Sequence, residues 1–363
     1  MASVRLLVVL IVSLAIFGLI MVASSSVVTA QRDFSDRWFY LKLQSVWTAL
    51  GLVGLVIVSK INPSYWEKPA PFLYITSLIL LLVVLIPGIG LKLLGARRWL
   101  DLGLFSFQPA ELAKLSLIMY LSAFLKAPPA SRFLQFLVLL ALPVGLILFQ
   151  PDLGTALILA GIGLAVYFVA GGRWLHFFGL VPLAIACLTL FIIISPYRLA
   201  RLRTYFDSSH DPLGSSYQVR QALISLGSGG LFGRGLGQSR QKYEFLPEVT
   251  TDSIFAVIGE EFGLLGTLLV LSAFWLLIHL GFQASAAAPS PFTRNLAAGI
   301  SSWLGIQTFL NLSSQVALTP LTGVPLPLVS YGGSSLVVLL LASGILISIS
   351  RHEKTSFYRR PSH

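Results

Sequence analysis

The chain has 363 residues, of which 56% are hydrophobic and only 11% charged, whereas soluble domains carry about 25% charged residues. That excludes a soluble globular enzyme and leaves an integral membrane protein. A net charge of +11, with no soluble domain to present it, argues against nucleic acid and for anionic or membrane lipids as partners.

Continuous apolar runs give ten candidate spans, at 6–28, 43–59, 70–86, 109–126, 132–149, 153–172, 174–195, 253–283, 294–318 and 334–350. The first, RLLVVLIVSLAIFGLIMVASSSVV, is too long for the apolar region of a signal peptide and reads as a retained helix. Strands are not expected, because the runs are continuous rather than alternating. The fold class is therefore all-α: a polytopic membrane helical bundle forming one domain over 1–363, with a large loop at 196–252 between spans seven and eight. No internal repeat is visible. Cys187, the single cysteine, sits in the apolar run LAIACLTLF and reads as a buried structural thiol.

Lysine and arginine set the orientation. With the N-terminus inside, short inner loops and tails hold Arg5, Lys60, Lys68, Lys126, Arg132, Arg173, Arg294, Arg351, Lys354, Arg359 and Arg360, eleven cations in all. The short outer loops hold six: Arg32, Arg37, Lys42, Lys92, Arg97 and Arg98. Both termini are then cytoplasmic, and 196–252 lies outside.

That outer segment adds Arg198, Arg201, Arg203, Arg220, Arg234, Arg240 and Lys242 to a face that topology normally keeps poor in cations. A headgroup-binding surface explains them, and so does a site for a polyanionic lipid such as a pyrophosphate. The acids are skewed too: Asp101, Glu111, Asp152, Asp207, Asp211, Glu244, Glu248 and Asp252 fall in outer loops or at outer helix ends, against Glu67 and Glu353 on the inner side. Ionisable groups within spans are costly and mark function, so chemistry is expected in the outer half.

In FQPAELAKL, Gln108, Glu111 and Lys114 recur every three residues and share one helix face; Glu111 and Lys114 can form a structural ion pair or part of a site. In FQPDLGTAL, Asp152 fills a short turn and can cap the next helix. Glu260 and Glu261 in GEEFG read as polar glue between helices or as functional acids. Asp252 follows two threonines and precedes SIFAVI, at the boundary of water and low dielectric. It can cap span eight or, if ionised and within reach of a hydroxyl, act as a general base. GSGGLFGRGLG places six glycines in eleven residues, offering main-chain approach to a headgroup or simple flexibility; without GK[ST] it is not a phosphate-binding P-loop. PLTGVPLPLVSYGGSS, with Ser330, is either an ordinary outer loop or irregular backbone lining a cavity.

Four blocks, in order between residues 95 and 335, resemble the signature stretches of the SEDS family of shape, elongation, division and sporulation proteins: GARRWLDLGLFSFQPAELAKL, FQPDLGTA, YQVRQALISLGSGGLFGRGLGQSRQKYEFLPEVTTDSIFAVIGEEFG and PLTGVPLPLVSYGGSS. The resemblance covers nearly the whole chain, and the ten spans match the family's helix count. GLGQSRQKYEFLPE, with its Ser239-Arg240-Gln241-Lys242 run, is closer to the FtsW branch than to the RodA branch. Two stretches depart from the pattern: NLSSQVALTP at 311–320, where a glycine-bearing segment is commoner, and Val249-Thr250, where histidine often precedes the threonine.

The resemblance implies peptidoglycan glycosyltransfer, the polymerisation of lipid II on the outer face of the bacterial cytoplasmic membrane, for cell division or elongation. It implies Asp252 as the catalytic residue, the arginines and Lys114 as the cations that neutralise the departing pyrophosphate, and Trp99, Glu111, Lys114 and Asp152 as positions the family needs. With Arg97, Arg98, Gln108, Arg240, Lys242, Glu248 and Ser330 they make up the candidate substrate-binding set. A class B penicillin-binding transpeptidase is the implied partner. A magnesium or manganese ion near Asp252 and Asp152 would suit hard oxygen ligands, although no ligand spacing establishes one. The alternative from another class is a lipid II flippase, which needs polar residues in both halves; the inner half here is nearly bare of acids. A scaffold that merely docks a division partner would need neither Asp252 nor the outer cations.

Overall fold

The computed structural model describes residues 2–93, 95–103, 105–127, 129–193, 215–243 and 245–357. Arg198, Arg201, Arg203, Asp207, Asp211, Glu244, Arg359 and Arg360 lie outside the described set, as do the side chains of Cys187, Glu353 and Lys354.

All ten expected spans are helices: α1 (Ala2–Phe34), α2 (Phe39–Val58), α3 (Ala70–Val83), α4 (Pro109–Phe124), α5 (Phe133–Phe149), α6 (Leu153–Val169), α7 (Trp174–Ile193), α9 (Ile254–Ala286), α10 (Pro291–Gln315) and α11 (Gly333–Phe357). An eleventh, α8 (Ser215–Ser228), lies inside the long loop, where hydropathy predicts no helix. Among the described residues, four helices are long and apolar enough to cross a membrane by themselves: α1, α2, α9 and α11. Helices α3, α5 and α6 are apolar but shorter.

Helix α10 owes its place to packing rather than to hydropathy. It lies against α9, α6, α4 and α11, and Asn295, Ser301, Gln307, Asn311, Ser314 and Gln315 on it are all buried. Surrounded by other helices, it meets little lipid, so polar side chains can be satisfied inside the bundle.

The expectation of no strands needs correction. Residues 90–107 form a small antiparallel sheet, β1 (Gly90–Leu93), β2 (Ala96–Asp101) and β3 (Ser106–Phe107), in that order. Leu93 faces Ala96 across the β1–β2 turn, and Gly95 in that turn sits at φ 81, the backbone that tight hairpin turns demand. A search for apolar runs passes over so short a hairpin.

Helix α9 is broken at Gly263 (φ 66, ψ −162), and the break is filled by residues 229–235. The amides of Arg234 and Gly235 donate to the carbonyls of Glu260 and Glu261, while the amides of Leu264 and Leu265 donate to those of Gly230 and Leu231. A Cβ at Gly263 would stand 2.3 Å from the Gly233 nitrogen. Only glycine fits both the positive φ and this close approach. The glycine-rich stretch is therefore an insert bonded into a helix break.

Candidate active site

The starts of α4, α6, α9 and α11 and the end of α10 gather at one end of the bundle. The Gln108 amide at the start of α4 donates to Ser334 Oγ of α11 (3.3 Å). Opposite it, Lys126 pairs with Glu67 at 2.6 Å and Arg351 donates to the Ser59 carbonyl, marking the other end.

Asp252 is half-buried at the first of these ends, in a turn over 248–253 that precedes α9. The amides of Thr251 and Ser253 donate to the Glu248 carbonyl (3.2 and 3.0 Å). Glu248 itself takes φ 51, is exposed, and accepts from Thr251 Oγ at 2.7 Å. The cap position of α9 is Ser253, whose side chain makes no capping bond, so Asp252 stands one residue ahead of the cap. Its main-chain carbonyl accepts from Asn311 Nδ2 (2.8 Å) and Gln315 Nε2 (3.0 Å).

Loop 316–332 closes over this turn. Ser330 Oγ donates to the Thr251 carbonyl (2.6 Å) and accepts from the Leu326 amide (2.8 Å), and the Tyr331 amide donates to the Thr250 carbonyl. Ser330 thus fixes the loop to the turn. Burial, and then the neighbouring Tyr40, push the Tyr331 phenol up to about 12. It stays neutral at ordinary pH.

Arg98 and Asp152 meet on the other side of the loop. Asp152 caps α6, accepting the Thr155 amide at 3.1 Å, and Arg98 Nε lies 3.8 Å from its Oδ2. Arg98 also donates to the Gln150 and Pro151 carbonyls. The capping role of Asp152 is real and does not exhaust the carboxylate. Two residues on, a Cβ at Gly154 would stand 2.6 Å from the Thr322 carbonyl, so the α6 start abuts loop 316–332. Arg97 and Trp99 flank Arg98 on β2, both half-buried, with Trp99 facing Leu91 on β1.

Glu111 and Lys114 pair at 2.9 Å, both nearly inaccessible at 4% and 2% side-chain exposure. Lys114 Nζ further donates to Gln307 Oε1 (3.2 Å) and lies 4.8 Å above the Trp303 ring. The α10 face that receives it carries Trp303, Gln307, Asn311 and Gln315, one polar group every four residues. Sequence reading missed this stripe; its signal was the fourfold spacing inside a span.

Glu260 and Glu261 are buried and serve as glue. Glu260 accepts from Ser239 Oγ (2.6 Å), Ser225 Oγ (3.3 Å) and the Arg240 and Gln241 amides (3.0 and 3.3 Å). Glu261 accepts from Ser24 Oγ of α1 (2.8 Å) and pairs with Lys242 at 3.4 Å. Lys242 is thereby buried as a tie, whereas Arg240 is exposed.

Among the described residues no three His, Cys, Asp or Glu side chains group to hold a metal. Asp152, offered to magnesium or manganese, faces the Arg98 guanidinium and an amide instead, neighbours that do not suit a further cation.

The cell cycle protein family FTSW_RODA_SPOVE matches residues 4–355. Stage V sporulation protein E of Bacillus subtilis is 38% identical over 96% of this chain and 97% of its own. A probable peptidoglycan glycosyltransferase FtsW of Geobacter metallireducens is 39% identical over 94% of this chain and 93% of its own. Among solved structures, a chain of a peptidoglycan synthase complex coordinating polymerization and crosslinking superposes with TM-score 0.79 at 32% identity, over 96% of this chain and 97% of that one. The rod shape determining protein RodA of Thermus thermophilus gives 0.70 at 30%, over 96% of each chain.

Proposed function

The chain belongs to the FtsW, RodA and SpoVE family of cell cycle proteins, and on that premise we propose that it is a peptidoglycan glycosyltransferase that polymerises lipid II. The end of the bundle holding Asp252 faces the outside of the cytoplasmic membrane, with both termini in the cytoplasm. A class B penicillin-binding transpeptidase is the partner, and lipid headgroups surround the cationic rim.

Asp252 is the general base. It takes the proton of the 4-hydroxyl of the acceptor N-acetylglucosamine; that oxygen forms a bond to the anomeric carbon of the donor N-acetylmuramic acid. The bond from that carbon to the undecaprenyl pyrophosphate oxygen breaks on the opposite face, with inversion. Arg97, Arg98 and the exposed Arg240 carry positive charge to the departing pyrophosphate, a task suited to preorganised cations.

The observation that carries this reading is the half-buried Asp252 turn, held from below by Asn311 and Gln315 and from above by Ser330. The full chain with its transpeptidase should polymerise fluorescent lipid II, and Asp252→Asn should abolish the product while its melting temperature and co-purification are kept. Full polymer yield from that variant would remove Asp252 from catalysis. Translocation of lipid II without polymer would favour the flippase.

A further inference from the structure

We propose that Lys114, Gln307 and Asn311 form one positioning spine that sets Asp252 from a distance, so that Lys114 serves the reaction through Gln307 and not by meeting the pyrophosphate. The inference rests on the glycosyltransferase reading above.

An ammonium has three donors, and all three directions at Lys114 are taken: Glu111 Oε1 at 2.9 Å, Gln307 Oε1 at 3.2 Å and the Trp303 face at 4.8 Å. With 2% of its side chain exposed, it has no donor left for a phosphate oxygen. What it does is orient Gln307. Gln307 Oε1 also accepts from Trp303 Nε1 at 2.7 Å, so both acceptor directions point at donors and the amide cannot turn over. Its Nε2 must then face the Pro325 carbonyl, to which it donates at 3.0 Å.

Four residues along the same face, Asn311 continues the chain. Its single NH2 group gives one hydrogen to the Val324 carbonyl and the other to the Asp252 carbonyl, both at 2.8 Å. Adjacent carbonyls of the loop are therefore gripped by successive side chains of α10, and one of these also holds Asp252. In a low-dielectric interior such bonds reinforce each other. Without Lys114 the Gln307 oxygen keeps only the Trp303 Nε1 donor, so the amide is less firmly held, its grip on the Pro325 carbonyl loosens, and the loop beside Asp252 shifts.

The test uses the full chain with its transpeptidase. Removing Lys114 alone would leave Glu111 buried and charged, so the pair is deleted together as Glu111→Gln/Lys114→Met. Asn311→Asp removes both donor hydrogens at constant shape, and Asn311→Ser is the second choice if that variant does not fold. Each should lower kcat by roughly tenfold to a hundredfold, the effect of a sub-ångström to ångström misplacement, with the KM for lipid II nearly unchanged. The combined variant should be no slower than the slower parent, because both cut one device. Without substrate, deuterium uptake in peptides over 320–332 should rise several-fold in the pair-deleted protein. Multiplying effects on kcat, or a raised KM with unchanged uptake, would overturn the spine and restore a direct contact with pyrophosphate. If the wild type makes no glycan, the glycosyltransferase reading fails, while the deuterium uptake still decides the coupling.

Discussion

Gly323 lies against Asp252: at φ +70, a Cβ built on Gly323 would stand 3.5 Å from Asp252 Oδ2. The distance itself is ordinary contact; the backbone is not, because L side chains resist that φ. Gly323→Ala should cost about 1–3 kcal/mol of local strain. The loop can relieve it only by moving Thr322 off Gly154 or Val324 off Asn311. A fall in turnover of about tenfold, with expression and partner binding kept, is the expected result in the lipid II assay. Unchanged turnover would mean that this loop does not shape the base.

How much of this was legible in the sequence follows from what each feature depends on. Most span positions depend on local hydropathy, and all ten were readable as runs, although α10 is held by packing more than by its apolar character. Asp252 and Asp152 were readable as acids at span ends, and Arg98 as a cation of a short outer loop, where a charge is conspicuous. The Gln307–Asn311 stripe was not, because glutamine and asparagine carry no charge and their meaning appears only when Lys114 and the Pro325 and Asp252 carbonyls arrive from other parts of the chain. Lys242 was offered to the substrate on its charge alone; that Glu261 and Ser24 already claim it is a long-range fact. The hairpin at 90–101 and helix α8 escaped because neither is long or apolar.

The Glu260 carboxylate joins the glycine-rich insert to α9, with Ser239, Ser225 and two amides donating to it and Arg234 at 3.6 Å. Glu260→Gln keeps the shape but turns one acceptor into a donor aimed at donors. A buried group left so mismatched costs about 1–3 kcal/mol, more where a charge partner is lost. The variant should melt at a lower temperature and become sensitive to protease between 229 and 242. Ser239→Ala, which removes one bond and leaves the charge, should show a smaller shift in the same direction. Equal melting for wild type and Glu260→Gln would show that the insert is not held by this carboxylate.

Sidedness can be read by chemical labelling because the two ends of the bundle each offer an exposed loop. Gln238 lies in the loop after the insert, at the Asp252 end, and Ala287 lies between α9 and α10 at the opposite end; both are exposed. In a Cys187→Ser background, Gln238→Cys should react with a membrane-impermeant maleimide on intact spheroplasts, and Ala287→Cys only after the membrane is opened. On the proposed orientation, the lysines and arginines concentrated in the short loops of the Ala287 end lie in the cytoplasm. The reverse pattern would put Asp252 in the cytoplasm, away from the outer face on which the proposed polymerisation runs, and the base would then need another role.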